Sequence, residues 1–562
     1  MVEPPTAPLR ARWPRSRRAT LAGARTVLRI GLLVGALLAW ATVPALALTP
    51  SPADWRDLVV YQIFTDRFMN GDPANDAIEG SFNPASGTAI HGGDFAGIEQ
   101  RLDYIQHLGA EAIWISPVVV NANAEYHGYA ARDFFTIAPH LGGLPALRSM
   151  INAAHARGIY VILDVVTNHM GDLINSSQSP YPQFKYPGTY TLKWRNAGKR
   201  YAGFFDDLTK FHAHGEIQDY APPEEEFGEL AGLDDLNTED PTVVAKLVEA
   251  AEFLIDSTDC DGFRIDTVKH VPMPFWQQWT PVVRAHAVAA GKSDFFMYGE
   301  VFDGSDTKNG SYTGTMGGGV FKLDATLYFP MYFTTNRVFR EAENAGSPAV
   351  PGEISARYFY LDQYDVTARE RLVNFLDNHD VARFMGYGSW ADKDESRLRA
   401  ALGFQLTTRG VPVVYYGTEQ SFDGGGDPYN REDMWDGEWD FGPSAGDNFN
   451  LASPLLRYTR SLVDARRRHG ALRRGTLTEL YSEWAGPGLY VYSRVTAGDT
   501  VVVAISNSNF PVTRAVPSPW PAGTVFGDAL DFRVSGTVTS MVQLEVPARG
   551  VRIIESIASR FG

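Results

Sequence analysis

The sequence predicts an α/β protein: a (β/α)8 TIM barrel with a subdomain inserted after the third strand and an all-β sandwich domain in the C-terminal part. Three observations predict it. From residue 58 onward short apolar runs alternate with amphipathic stretches, the order that yields parallel strands covered by helices. Eight such units can be counted, enough to close a sheet on itself. From about residue 472 the pattern turns into apolar runs divided by Gly, Pro and Asn turns, as in a compact all-β domain.

The strand candidates are L-V-V-Y-Q-I-F (58–64), A-I-W-I-S (112–116), I-Y-V-I-L-D-V-V (159–166), G-F-R-I-D (262–266), F-F-M-Y-G-E (295–300), L-D-A-T-L-Y-F (323–329), L-V-N-F-L-D (372–377) and V-P-V-V-Y-Y-G (411–417). Helical periodicity falls between them, at 97–108, 144–157, 241–257, 396–409 and 453–469 among others. Residues 170–235 are rich in Gly, Pro, Tyr and acids and far too long for an ordinary strand–helix loop, so they read as an inserted subdomain. The barrel is then residues 48–169 and 236–471, and the β domain is 472–562, with strands expected at 489–494, 500–506 and 551–555.

Residues 1–47 differ from the rest. Seven arginines lie between Arg10 and Arg29 with Glu3 the one acid, an apolar run follows at 30–41, and Ala45-Leu46-Ala47 offers small residues for cleavage. Basic, apolar, A-x-A is the order of a secretory signal, and the run is short for a membrane span; an uncleaved anchor is the alternative. Arg17-Arg18 after a serine is compatible with twin-arginine export. Removing this leader takes away seven positive charges and one negative and moves the formal charge from −16 to −22. So acidic a chain argues against nucleic acid or an anionic membrane as partner and suits a neutral substrate and bound cations. The expected location is secreted or periplasmic, and the expected state a monomer. A single cysteine, Cys260, excludes an intrachain disulfide, which makes metal ions the expected staple of an exported chain.

Three acids fall at the ends of predicted strands: Asp266 after the fourth, Glu300 after the fifth and Asp380 after the seventh. In a parallel barrel these ends meet at one face, where catalytic groups collect. Any one of them could instead cap the next helix. Arg264, two residues before Asp266, lies on the same side of the strand and would hold that carboxylate ionised. His379, beside Asp380, is a neutral-capable donor suited to sugar hydroxyls. Cleaving a glycosidic bond with retention needs a carboxylate nucleophile and a protonated acid about 5 Å away, and neighbouring carboxylates raise the acid's pKa.

The chain resembles the α-amylase family, glycoside hydrolase family thirteen, over about residues 58–470. Its short motifs stand in order: D-V-V-T-N-H (164–169), L-D-D-L-N (233–237), G-F-R-I-D-T-V-K-H (262–270), G-E-V-F (299–302) and F-L-D-N-H-D (375–380). In the second, the family often has Pro or Ala at the next-to-first position. The resemblance implies Asp266 as nucleophile, Glu300 as general acid and then base, and Asp380 as the residue that binds and distorts the sugar. It implies that Arg264, His169 and His379 line the bond-cleaving subsite. In Y-H-G-Y (126–129), Tyr129 would stack on the sugar and His127 hydrogen-bond it, and Lys269 and His270 would be acceptor-side contacts. D-P-Y-N-R-E (427–432) resembles a stretch of fungal-type amylases in which Asp427 and Arg431 would touch the outer side of the same glucose; a loop ion pair is the alternative.

Ca²⁺ is expected, and two candidate places for it can be read. The run N-G-D-P-A-N-D (70–76) could bring Asn70, Asp72, Asn75 and Asp76 to one hard cation, which takes six to eight oxygens; a solvated turn is the alternative. By resemblance to bacterial amylases and cyclodextrin-forming enzymes, the G-G-D segment with Gly92 and Asp94 would complete it. The second site, by resemblance alone, would use Asn168, Asp235 and the carbonyl of His270. The leading expectation is thus retaining endo-hydrolysis of α-1,4-glucosidic bonds in a starch-like glucan. The runners-up are a transglycosylase or cyclodextrin- or pullulan-cleaving relative, and, outside enzymes, an inactive glucan-binding barrel; the last is disfavoured by the survival of all three carboxylates.

Overall fold

Eight short strands lie parallel around one apolar core: β1 (Val60–Ile63), β2 (Ala112–Ile115), β3 (Tyr160–Val165), β4 (Gly262–Ile265), β5 (Phe296–Gly299), β6 (Ala325–Thr326), β7 (Val373–Asn374) and β8 (Val411–Tyr415). The computed structural model describes residues 48–179, 182–314, 322–340, 350–386 and 395–560, so the expected leader, residues 1–47, lies outside the described residues. The strand order is β6-β5-β4-β3-β2-β1-β8-β7. A parallel bridge between Leu327 and Val373 joins the two free ends and closes the barrel.

The strands form here because their residues are buried on both faces, the environment that near-continuous Val, Ile, Leu and aromatic runs require. Val60, Ala112, Trp114, Ile162, Phe296, Tyr298, Val373, Val411 and Val413 fill the interior. Two charged residues interrupt this packing. The register sets Asp164 of β3 beside Arg264 of β4, and Arg264 beside Tyr298 of β5. Both side chains are fully buried, so an ion pair occupies the barrel axis just below the C-terminal ends of the strands.

Each of the eight barrel strands falls inside its expected run. The sixth, the weakest pattern, keeps only two residues. The helix expected at 97–108 is two pieces, Phe95–Gln100 and Leu102–Leu108, broken at Arg101. The helix Pro241–Thr258 opens as its sequence dictates: Asp240 accepts from the Thr242 N–H, Pro241 takes the first helical position, and Asp259 closes it in a left-handed conformation.

Between β3 and that helix the chain makes a two-stranded pair, Ile174–Ser176 with Leu192–Trp194, and a short helix, Glu224–Phe227. Buried Asp234 ties this excursion together. It accepts from the Leu173 and Ile174 N–H groups at 2.8 and 3.0 Å and from the Tyr201 hydroxyl. An antiparallel bridge from His169 to Asp235 returns the chain to the barrel.

The C-terminal part is all β: β9 (Thr476–Ser482), β10 (Leu489–Thr496), β11 (Asp499–Ser506), β12 (Val512–Pro517), β13 (Val525–Asp528), β14 (Ser535–Thr537), β15 (Met541–Val546) and β16 (Val551–Ser556). One sheet runs β9-β10-β11-β16-β13-β14, and β12 pairs with β15. The two sheets bury a shared core of Leu489, Val491, Val502, Ile554, Val516, Val542 and Leu544, the sandwich arrangement. His469 fastens this domain to the helix Pro454–Arg468 of the barrel, with Nδ1 at 3.0 Å from Asp499 and Nε2 at 2.8 Å from Glu555.

Candidate active site

The C-terminal ends of the strands open into a cleft of about 620 Å³. Its floor is built around one guanidinium. Arg264 Nη1 lies 2.9 and 3.0 Å from the two oxygens of Asp164 and 2.7 Å from Asp266 Oδ1, while Nη2 lies 3.1 Å from Glu300 Oε1 and 3.9 Å from Asp380 Oδ2. Strand geometry explains the first two contacts. Asp266 follows Arg264 by two residues and so points to the same side, and Asp164 is its cross-strand neighbour. Glu300 ends β5, the next strand round.

Glu300 is further held by the backbone. The Thr267 N–H donates to its Oε2 at 3.1 Å. Thr267 sits in the left-handed region at φ 47°, a strained conformation for a β-branched residue that a surrounding site must enforce.

Four carboxylates therefore share one buried cation, and their electrostatics diverge. Burial pushes Asp164, Asp266 and Glu300 above the ordinary carboxylate range, with Arg264 opposing in each case. The other carboxylates add to the rise at Asp266, and Asp380 does so at Glu300. Asp380 goes the other way. Burial works against its charge, but His379, Arg264 and Arg431 outweigh it and hold the carboxyl well below the usual range. Arg264 thus does not keep Asp266 ionised by itself, as the sequence argument expected; burial and the charges of Glu300, Asp164 and Asp380 act against it.

The remaining expected residues are placed as follows. His127, Tyr129, His169, Lys269, His270, Asp427 and Arg431 line the cleft with the three acids. Arg264 and His379 are buried and are not among the lining residues; His379 has its Nε2 3.0 Å from Asp380 Oδ2 and its Nδ1 2.9 Å from Gln62 Nε2. Tyr129 stacks on His379 at 5.1 Å with the two rings nearly parallel (5°), and its hydroxyl donates to Asp164 at 2.8 Å. Burial lowers His127 and His169 to about 3 and His270 to about 4, so all three are neutral imidazoles at pH 7. Asp427 and Arg431 do form an ion pair, at 3.0 Å, and both also face the cleft. Arg431 donates to the Tyr126 hydroxyl at 2.7 Å and to the His379 carbonyl at 3.0 Å. Among the described buried atoms, Arg264 Nη2 and His379 Nε2 lack a well-aligned hydrogen-bond acceptor.

Sequence reasoning missed several members. Asp164 stands in the first motif and ends an apolar strand, a signal of the same kind that singled out Asp266. Tyr220, Leu230, Ala231, Leu233 and Phe302 also line the cleft; the first four come from the inserted segment, whose course no periodicity reveals.

At the first candidate cation site the loop closes on Asp76. Asn70 Nδ2 donates to both Asp76 oxygens at 3.0 and 2.9 Å, while Asn70 Oδ1 and Asn75 Oδ1 are buried without a partner. Burial raises the Asp76 pKa, and Asp94, Asp66 and Asp72 add to it. Gly92, at φ +100°, packs so close that a Cβ would stand 2.5 Å from Asn70 Nδ2 and 2.6 Å from Asp76 Oδ1. Buried oxygens and an uncompensated carboxylate fit a hard cation. Asp94, expected above as a ligand, also accepts through its oxygens from the Gly71, Asp72 and Gly97 N–H groups and from Asn75 Nδ2, at 2.7 to 3.1 Å. It braces the loop and caps the next helix. Asp72 is exposed and accepts from Ala74 N at 3.2 Å within its own turn.

At the second, buried Asp235 is next to the Asn168 amide, and its Oδ2 lies 2.6 Å from His212 Nδ1. Burial raises Asp235 to about 6. Among the described residues no three His, Cys, Asp or Glu side chains converge on one point, so an ion at either place would rest on amide and main-chain oxygens as much as on carboxylates.

The model of the α-amylase catalytic domain matches residues 62–440. A β/α-amylase of Paenibacillus polymyxa is 37% identical over 82% of this chain, and a cyclomaltodextrin glucanotransferase of Niallia circulans is 29% identical over 87%. The chain spans only 34% and 65% of those proteins' lengths. Among solved structures, an α-amylase of Geobacillus thermoleovorans complexed with acarbose superposes with a TM-score of 0.72 at 28% identity, covering 90% of this chain and 99% of that one.

Proposed function

The chain belongs to the α-amylase family of glycoside hydrolases, and from that premise we propose that it is a retaining endo-hydrolase of α-1,4-glucosidic bonds in starch-like glucans. The observation that carries the reading is the single guanidinium of Arg264 reaching Asp266 at 2.7 Å and Glu300 at 3.1 Å in one cleft. Asp266 attacks the anomeric carbon as Glu300 gives its proton to the departing glycosidic oxygen. Glu300, now ionised, takes a proton from water, which attacks the same carbon and releases Asp266. The reaction needs the proton on Glu300; the closer guanidinium contact of Asp266 favours that order, while burial and the neighbouring carboxylates raise Asp266 and act against it. Asp380 and His379 bind hydroxyls of the sugar being cleaved, and His127, Tyr129, His169, Asp427 and Arg431 surround it. Lys269 and His270 take the acceptor side.

Asn70, Asn75 and Asp76 would hold one Ca²⁺, and Asn168, Asp235 and the His270 carbonyl a second. The ion, when bound, supplies positive charge that cross-links loops around the cleft. We also read residues 1–47 as an export leader, 170–235 as the inserted subdomain and 472–562 as the β domain of a monomeric secreted enzyme. The resemblance to a cyclomaltodextrin glucanotransferase keeps transglycosylation as the second reading, and a time course of products on amylose, pullulan and cyclodextrins separates the two. The primary test is release of reducing ends from soluble starch by the protein and by Glu300→Gln: the variant should lose activity, and equal rates would remove Glu300 from the acid's place.

A further inference from the structure

Glu225 is a carboxylate that the hydrolytic steps do not use. It sits in the short helix Glu224–Phe227 of the inserted segment, and its side chain is 1% exposed. Two lysines from different barrel loops reach it: Lys269 Nζ at 3.1 Å from Oε1, and Lys308 Nζ at 2.8 Å from Oε1 and 2.5 Å from Oε2. Its backbone is engaged too, since His270 Nδ1 donates to the Glu225 carbonyl at 2.9 Å. One residue thus grips both Lys269 and His270, which are consecutive in sequence and both line the cleft. Lys269 is otherwise flanked by the exposed ring of Tyr220, 5.3 Å from its Nζ.

Such an arrangement is costly unless it fixes something. A buried carboxylate must be paired, and a lysine is a flexible point charge with a long stem. Held by Glu225, Lys269 is fixed in the wall of the cleft; without that charge, Lys269 and Lys308 would repel each other across a few ångströms. We propose that Glu225 is a positioning residue for the acceptor half of the cleft, setting through Lys269 how tightly a short glucan or incoming acceptor sugar is held. The inserted segment thereby governs chain-length preference and the division between water and sugar as acceptor. This rests on the glycosidase reading above.

The test compares wild type, Glu225→Gln, Lys269→Met and the double variant, on soluble starch and on a five-glucose oligosaccharide, with melting temperature measured for each. Glu225→Gln keeps the backbone contact to His270 and removes the charge on Lys269. Its KM for the oligosaccharide should rise about tenfold, the scale of one displaced polar contact, while kcat on starch stays within about twofold. Transfer products formed in the presence of added maltose should fall in parallel. Lys269→Met should give the same KM change, and the double variant no more than either single, because both act through one contact. If Glu225→Gln is not recovered folded, Lys269→Met alone decides: an unchanged KM overturns the inference. Additive losses overturn it, as does a fall in melting temperature and kcat with KM unmoved. Wild-type protein inactive on both substrates would overturn the glycosidase reading and this inference with it, whereas active wild type with an unaltered Glu225→Gln variant overturns the inference alone.

Discussion

Arg264 Nη1 stands 2.7 Å from Asp266 and within 3.0 Å of both oxygens of Asp164, so one buried nitrogen serves a carboxylate facing the cleft and another facing the barrel axis. Asp164 also accepts from the Tyr129 hydroxyl and from Trp114 Nε1 at 2.8 and 3.0 Å. It is the part of the site that holds the cation in place rather than the part that meets substrate.

Asp164→Asn tests this division of labour. The amide keeps the shape but leaves Arg264 short of one buried negative charge, so the guanidinium is drawn toward Asp266 and Glu300. The expected result is a fall in kcat of about 10- to 100-fold, the range for residues that orient reacting groups, with a smaller change in KM. An unaltered kcat would mean that Arg264 is fixed without Asp164.

Asp380 raises the Glu300 pKa, and Asp380→Asn removes that push. The proton on Glu300 is then lost at lower pH, so the alkaline limb of the pH–rate profile should move toward acid, together with a loss in kcat. A profile that only shrinks in height, with its limbs in place, would show that Asp380 does not act on the acid.

His469, pinned between Asp499 and Glu555, is raised from 6.5 to about 9. Its folded pKa exceeds the unfolded one, so the stabilisation is complete below about pH 6.5 and disappears as pH climbs through 9. A rise of that size corresponds to on the order of 3 kcal/mol at most. Denaturant unfolding at pH 6 and pH 9.5 should give a steeper loss of stability for the native protein than for His469→Gln. Identical pH dependence in the two would exclude His469 as the source.

Orphaned Asn70 Oδ1 and Asn75 Oδ1 beside Asp76 predict that a chelator lowers the melting temperature, since a cation bound only by the native state at about 100 times its Kd contributes about 2.7 kcal/mol. Asp76→Asn should blunt the effect, and elemental analysis should find calcium. No shift on chelation, with no calcium in the protein, would refute the site.

The barrel was legible in the sequence because strands buried on both faces announce themselves as uninterrupted apolar runs, and the site because Asp266, Glu300 and Asp380 follow three of them. The partnership of Arg264 with Asp266 follows from a two-residue spacing. Asp164 was equally visible by that reasoning but had no exposed role to draw attention to it. Tyr220 and Glu225 were invisible, since they belong to an irregular segment whose path is set by tertiary contacts such as those of Asp234 rather than by periodicity. The second job of Asp94 was hidden for a similar reason: an aspartate that caps a helix and one that binds an ion are written the same way.

The most direct measurement of the central claim is the anomeric form of the first products, followed by proton NMR during the opening minutes of starch hydrolysis. Asp266 attacking one face of the anomeric carbon and then water, activated by Glu300, attacking the opposite face predict α-anomers that later mutarotate. Initial β-anomers would mean a single displacement by water and would contradict the assignment of Asp266 as nucleophile.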